Sequence, residues 1–116
     1  MTKATPQTIG AFLEEKAKRK QTVFYSDLAA HFELPPMDGA WSAHPLCGIF
    51  DILDQGDASA KRPFRTTVVV KREDHVPGNG FFESLANYKN IRASNDQRKL
   101  EVFASELKAV FAYPWK

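Results

Sequence analysis

The sequence predicts an α+β domain, with helices packed around a small antiparallel sheet and an extra helix at the C-terminus. Apolar residues recur at helical spacing behind recognisable caps in several stretches. One run, Phe64, Arg65, Thr66, Thr67, Val68, Val69, Val70, Lys71 and Arg72, is β-branched and alternating instead. A chain of 116 residues, 43% hydrophobic and 12% aromatic, suits one globular unit over residues 1–116.

The elements follow in order. Thr5 and Pro6 form a helix start, and Ile9, Phe12, Leu13 and Ala17 continue it at helical spacing to about residue 20. Its closing Lys16, Lys18, Arg19 and Lys20 complement the negative end of the helix dipole. Thr22, Val23, Phe24 and Tyr25 read as a short strand, after which Ser26 and Asp27 cap a second helix through Leu28, Ala29 and Phe32. Leu34, Pro35 and Pro36 stop it, and residues 37–42 read as a loop. Pro45 fits the first turn of a third helix with core face Leu46, Ile49, Phe50 and Leu53, ended by Gly56. Residues 64–72 form the main strand, pairing with residues 22–25 and presenting Phe64, Thr66, Val68 and Val70 on one face. Residues 76–80 are a tight turn and residues 81–88 a short helix. Ser94, Asn95, Asp96 and Gln97 match a capping box, opening a final helix through Leu100, Phe103, Leu107, Val110 and Phe111. Pro114 closes that helix, and Trp115 is placed to fold back on the core.

A short strand, a helix, a loop and a second apolar-faced helix before a longer strand is the order of a winged-helix domain. The residues Val23 to Ala30, the stretch Thr67, Val68, Val69, Val70 and Lys71, and the block Pro77, Gly78, Asn79, Gly80 and Phe81 resemble a family of small bacterial and prophage-type proteins without an assigned activity. The likeness spans roughly residues 22–82. The arrangement is also similar to the winged-helix half of alkyltransferase-like proteins, which implies binding of alkylated DNA. Alkyl transfer would require a reactive cysteine in a Pro-Cys-His-Arg setting, where this chain has Arg62, Pro63, Phe64 and Arg65. Cys47 lies in a different element.

Charge divides the molecule. Residues 26–60 hold six acidic groups and no Lys or Arg, while all sixteen basic groups flank them, leaving a formal net charge of +2. A groove-binding helix normally presents cations to phosphates, so any DNA contacts must come from outside this stretch. Lys61, Arg62 and Arg65 precede and enter the main strand, and Lys71 and Arg72 leave it, as in a phosphate-contacting wing. Asn79 stands in the turn beside them, and Ser42 and His44 at the third helix's start would lie nearest the bases. DNA is thus the expected partner. The alternative is a protein-interaction module, a phage-borne regulator or inhibitor, that offers Asp51, Asp54 and Asp57 on one helical side to a basic protein.

Catalytic arrangements are weaker. His44 and Cys47 could face one another as base and nucleophile or as metal ligands, but two ligands do not make a metal site. Asp74 and His75 read as a solvated loop pair and His31 as a helix-surface residue. Gly78, Asn79 and Gly80 are explained by a tight turn without a nucleotide. With one cysteine, no internal disulfide can form. No catalytic residue, metal or cofactor is assigned, and a non-enzymatic protein is expected. The N-terminus lacks a signal-peptide run and no stretch matches a membrane span, which predicts a cytoplasmic protein.

Overall fold

The computed structural model describes residues 3–36 and 40–115, so the Met37, Asp38 and Gly39 part of the expected loop lies outside it. It is mostly helical, with a two-stranded parallel sheet: α1 (Pro6–Lys18), β1 (Val23–Phe24), α2 (Tyr25–His31), a 3-10 turn (Trp41–Ala43), α3 (Pro45–Ser59), a second 3-10 turn (Arg65–Val68), β2 (Val69–Val70), α4 (Asn79–Lys89) and α5 (Asp96–Ala112). None of the described helices is long and apolar enough to cross a membrane.

Thr5 caps α1 reciprocally with Thr8, two Thr side chains doing what the Ser/Thr and Glu pair usually does. The helix ends two residues before the expected Lys20, which takes a left-handed conformation (φ 56°) while Gln21 N–H donates to Lys16 C=O at 2.9 Å. Ser26 and Asp27 were expected to cap α2 but lie inside its first turn, because Phe24 occupies the capping position without a side-chain bond. α3 continues through Gly56 to Ser59. Gly56 faces open space and breaks no packing, so it costs only backbone entropy.

The sheet differs most from expectation. β1 and β2 pair as anticipated, with Val23 opposite Val69 and Phe24 opposite Val70, but in parallel rather than antiparallel register. The chain between them carries α2 and α3, a helical crossover, and a crossover is what parallel pairing requires. Residues 64–72 do not form one long strand either. Arg65–Val68 is a 3-10 turn in which Thr67 N–H and Oγ1–H both donate to Phe64 C=O, at 3.1 and 2.6 Å. Alternation also fails, since Phe64 and Thr66 through Val70 are all buried. Apolar residues of α1, α3 and α5 pack around this segment, so neither face meets water and period-2 patterning loses its meaning.

Two apolar clusters result. The larger joins Ile9, Leu13, Leu28, Leu46, Leu53, Val68 and Val110, and the smaller joins Phe64, Phe81, Leu85 and Val102. Trp115 does fold back, packing on the larger cluster while its Nε1–H donates to Val110 C=O at 2.8 Å.

Candidate functional site

α3 ends in a helix-reversing turn. Lys61 sits left-handed (φ 59°), and Arg62 N–H donates to Asp57 C=O at 2.8 Å. That reversal carries the Arg62 side chain back over the Asp57 carboxylate. Asp57 Oδ1 accepts from Arg62 Nε and Nη2 at 3.0 and 2.9 Å, and Oδ2 accepts from Arg65 N–H and Nε at 3.0 and 3.2 Å. Arg65 also pairs with Glu14 at 2.9 Å. Asp57 is fully buried, so its charge is compensated by two guanidiniums and a backbone donor. Removing one partner of such a buried pair typically costs about 3–5 kcal/mol.

Asp57 therefore belongs to the interior and not to an acidic outer face. Asp54 is also buried, accepting from Thr66 Oγ1 at 2.6 Å, and burial pushes its carboxyl up to about 7 against the bonds from Thr66 and Ser84. Only Asp51 is exposed, where it accepts from Tyr88 O–H at 2.6 Å and holds that phenol above its ordinary value. The expected protein-partner face of Asp51, Asp54 and Asp57 is corrected on this point: α3 turns two of its three carboxylates inward.

The residues expected to contact DNA are dispersed. Ser42 is exposed in the first 3-10 turn, whereas His44 is only 8% exposed and caps α3. Its Nδ1 accepts from Leu46 N–H at 3.1 Å, so Nε2 donates to Pro35 C=O at 2.9 Å. Both ring nitrogens are committed, leaving none for a base or for Cys47. Arg72 pairs with Asp27 at 2.7 Å and lies over the Phe24 ring, and Lys71 pairs with Asp74 at 3.1 Å. Asn79 Oδ1, at the start of α4, accepts from Lys99 Nζ at 3.4 Å. The Gly78 turn meets Tyr25, whose hydroxyl accepts from Gly78 N–H at 2.9 Å and is pushed up to about 12, mainly by burial.

Two of the expected cations do converge. Lys61 and Arg62 line an open cleft of about 420 Å³ with Lys89, Tyr88, Glu106 and the small side chains of Ala58 and Ala109. Lys89 Nζ donates to Arg62 C=O at 2.9 Å, stands 4.5 Å from the Phe64 ring centre and is 3.6 Å from Glu106 Oε1. That carboxylate oxygen has no hydrogen-bond partner, the 3.6 Å approach to Lys89 being an ion pair only. Lys61 has no carboxylate within ion-pair distance among the described residues. Arg62 keeps Nη1 free of the Asp57 contacts that fix the rest of its guanidinium. Lys89 is the member that sequence reasoning missed. A Lys in the last turn of a helix is already explained by the dipole, so nothing marked it.

No protein-family model, curated protein sequence or solved structure matches the chain.

Proposed function

We propose that the protein is a non-enzymatic DNA-binding protein that holds phosphates at the cleft formed by Lys61, Arg62 and Lys89. The observation that carries this reading is the convergence of three cations from two elements on one open concavity whose only lining carboxylate among the described residues is Glu106. Asp57 orients Arg62 from behind, which lowers the ordering cost of a phosphate contact. In this reading β1, α2, α3 and β2 correspond to the helix pair and flanking strands of a winged-helix domain. The parallel sheet lacks the antiparallel wing, and the end of α3 supplies the phosphate contacts in its place.

The test is a titration with a labelled DNA strand, alone and annealed to its complement, at several salt concentrations. Binding to at least one form should weaken with salt at a logarithmic slope of about −2 to −3, as about three phosphate contacts require. Lys61→Ala should reduce that slope by about one, while Arg72→Ala, which removes a cation that lies outside the cleft and pairs with Asp27, should leave it unchanged. Absence of binding to both forms at low salt sinks the proposal.

The protein-interaction reading survives on a different surface of α3. Ile52 is 56% exposed, and Gly48 and Gly56, one turn away on either side, leave it standing above a helix surface without side chains. If that surface docks a protein, Ile52→Lys abolishes capture of the partner in a pull-down; retained capture counts against it.

A further inference from the structure

We infer that the nucleic acid taken by this cleft is single-stranded, with bases lying on Tyr113 and Trp115 while Lys61, Arg62 and Lys89 hold the neighbouring phosphates. This rests on the DNA-binding reading and adds the form of the ligand. Arg62 lines a second concavity of about 250 Å³, whose other walls are Glu14, Arg65, Tyr113, Pro114 and Trp115. The cationic cleft and the aromatic one thus share Arg62.

The aromatic side is anchored. Trp115 is held by its Nε1–H bond to Val110 C=O at 2.8 Å and by the apolar cluster beneath it, and the Tyr113 ring centre lies 4.5 Å from its own. Both rings are half-buried, so part of each remains open to solvent. Arg65 at the base has its donors committed to Asp57 and Glu14, leaving Arg62 as the cation available to both clefts.

A phosphate-binding row beside a fixed aromatic platform is the arrangement that a single strand uses, because its bases are free to leave their stack and lie on a ring. A duplex hides its base faces. It could meet the lysines and Arg62 through phosphates but would gain nothing from Tyr113 or Trp115, since a stacked base pair offers only its edges in the grooves.

The experiment measures fluorescence anisotropy of labelled oligo-dT, free or annealed to oligo-dA, against the full chain at fixed low salt. The free strand should bind at least about tenfold more tightly, one base–aromatic stack being worth about that and the site offering two rings. Tyr113→Ala should lower affinity for the free strand by about tenfold and leave duplex affinity unchanged. If that variant melts early, Tyr113→Leu, which keeps bulk without an aromatic face, provides the same comparison. Equal affinity for both forms, or an equal effect of Tyr113 replacement on both, overturns the inference while leaving DNA binding in place. Binding to neither form overturns the DNA-binding reading itself.

Discussion

Asp54 and Asp57 lie three residues apart on α3, both buried, and their neighbours give them different chemistry. Asp57 faces two arginines. Asp54 faces the hydroxyls of Thr66 and Ser84, with Asp51 and Asp57 as nearby like charges, and its carboxyl titrates near 7 instead of 3.8. The folded state therefore keeps a proton that the unfolded chain has released throughout the window between those values. With the native state binding more protons, stability falls as pH rises through that window and levels off above it. Each pH unit crossed in full costs about 1.4 kcal/mol. Asp54→Asn keeps an acceptor for Thr66 and removes the titration, so it should flatten the decline in urea midpoint from about pH 4 to about pH 7. The difference between the two proteins isolates this group, since every other carboxylate is common to both. Parallel pH profiles would show that Asp54 ionises in the fold without cost.

At the scale of elements, four helix ends turn on non-glycine residues in the left-handed region: Lys20 after α1, Glu33 after α2, Lys61 after α3 and Asn90 after α4. Left-handed backbone costs an L-residue roughly 1–2 kcal/mol, and Asn bears it more easily than Lys. At Lys61 the same turn places a cation on the cleft and folds Arg62 onto Asp57. Lys61→Gly should therefore raise stability by about 1 kcal/mol in denaturant unfolding while weakening the proposed DNA contact. Lys61→Ala should weaken binding without that gain, and a destabilised Lys61→Gly would contradict the strain argument. The helices themselves were legible: Thr5 with Pro6, Pro45 with Leu46, Phe50 and Leu53, and the C-terminal spacing from Leu100 through Phe111 all mark observed helices. Residues 64–72 were not. Their β-branched composition describes residues that tolerate burial, and a buried 3-10 turn accepts the same letters as a strand. The cationic cleft was half legible, because charge is written in sequence but counterion choice is not. Arg62 and Lys61 could be named as site candidates, whereas the pairing of Arg72 with Asp27, forty-five residues away, is fixed only by the parallel crossover.

Across the whole molecule, the two apolar clusters are tied by elements that belong to both. Phe64 enters the smaller cluster and Val68 and Val69 the larger, within one continuous segment. α5 repeats the link, with Val102 in the smaller cluster and Val110 in the larger. Lys89 adds a polar tie, joining the end of α4 to Arg62 C=O and Glu106. Neither cluster can open without exposing an element the other needs, so the chain should unfold in one cooperative transition. Leu85, 1% exposed in the smaller cluster, provides the measurement. Replacing it with Ala removes buried methyl groups and leaves a cavity, at a cost of about 2–5 kcal/mol. Trp41 and Trp115 both pack on the larger cluster, but Trp41 also lies against Gly80 at the start of α4, so a Trp41→Phe background leaves Trp115 to report the larger cluster. In Leu85→Ala the tryptophan signal and the far-ultraviolet helix signal should move to the same lower denaturant midpoint. A tryptophan transition that stays at its wild-type midpoint while part of the helix signal melts early would mean that α4 and the N-terminal half of α5 unfold as a separate unit. Lys89 would then leave the cleft before the rest of the protein unfolds, and the proposed DNA contact would be lost ahead of tryptophan exposure. Under cooperative unfolding the two losses coincide, because the cleft spans the junction between the clusters.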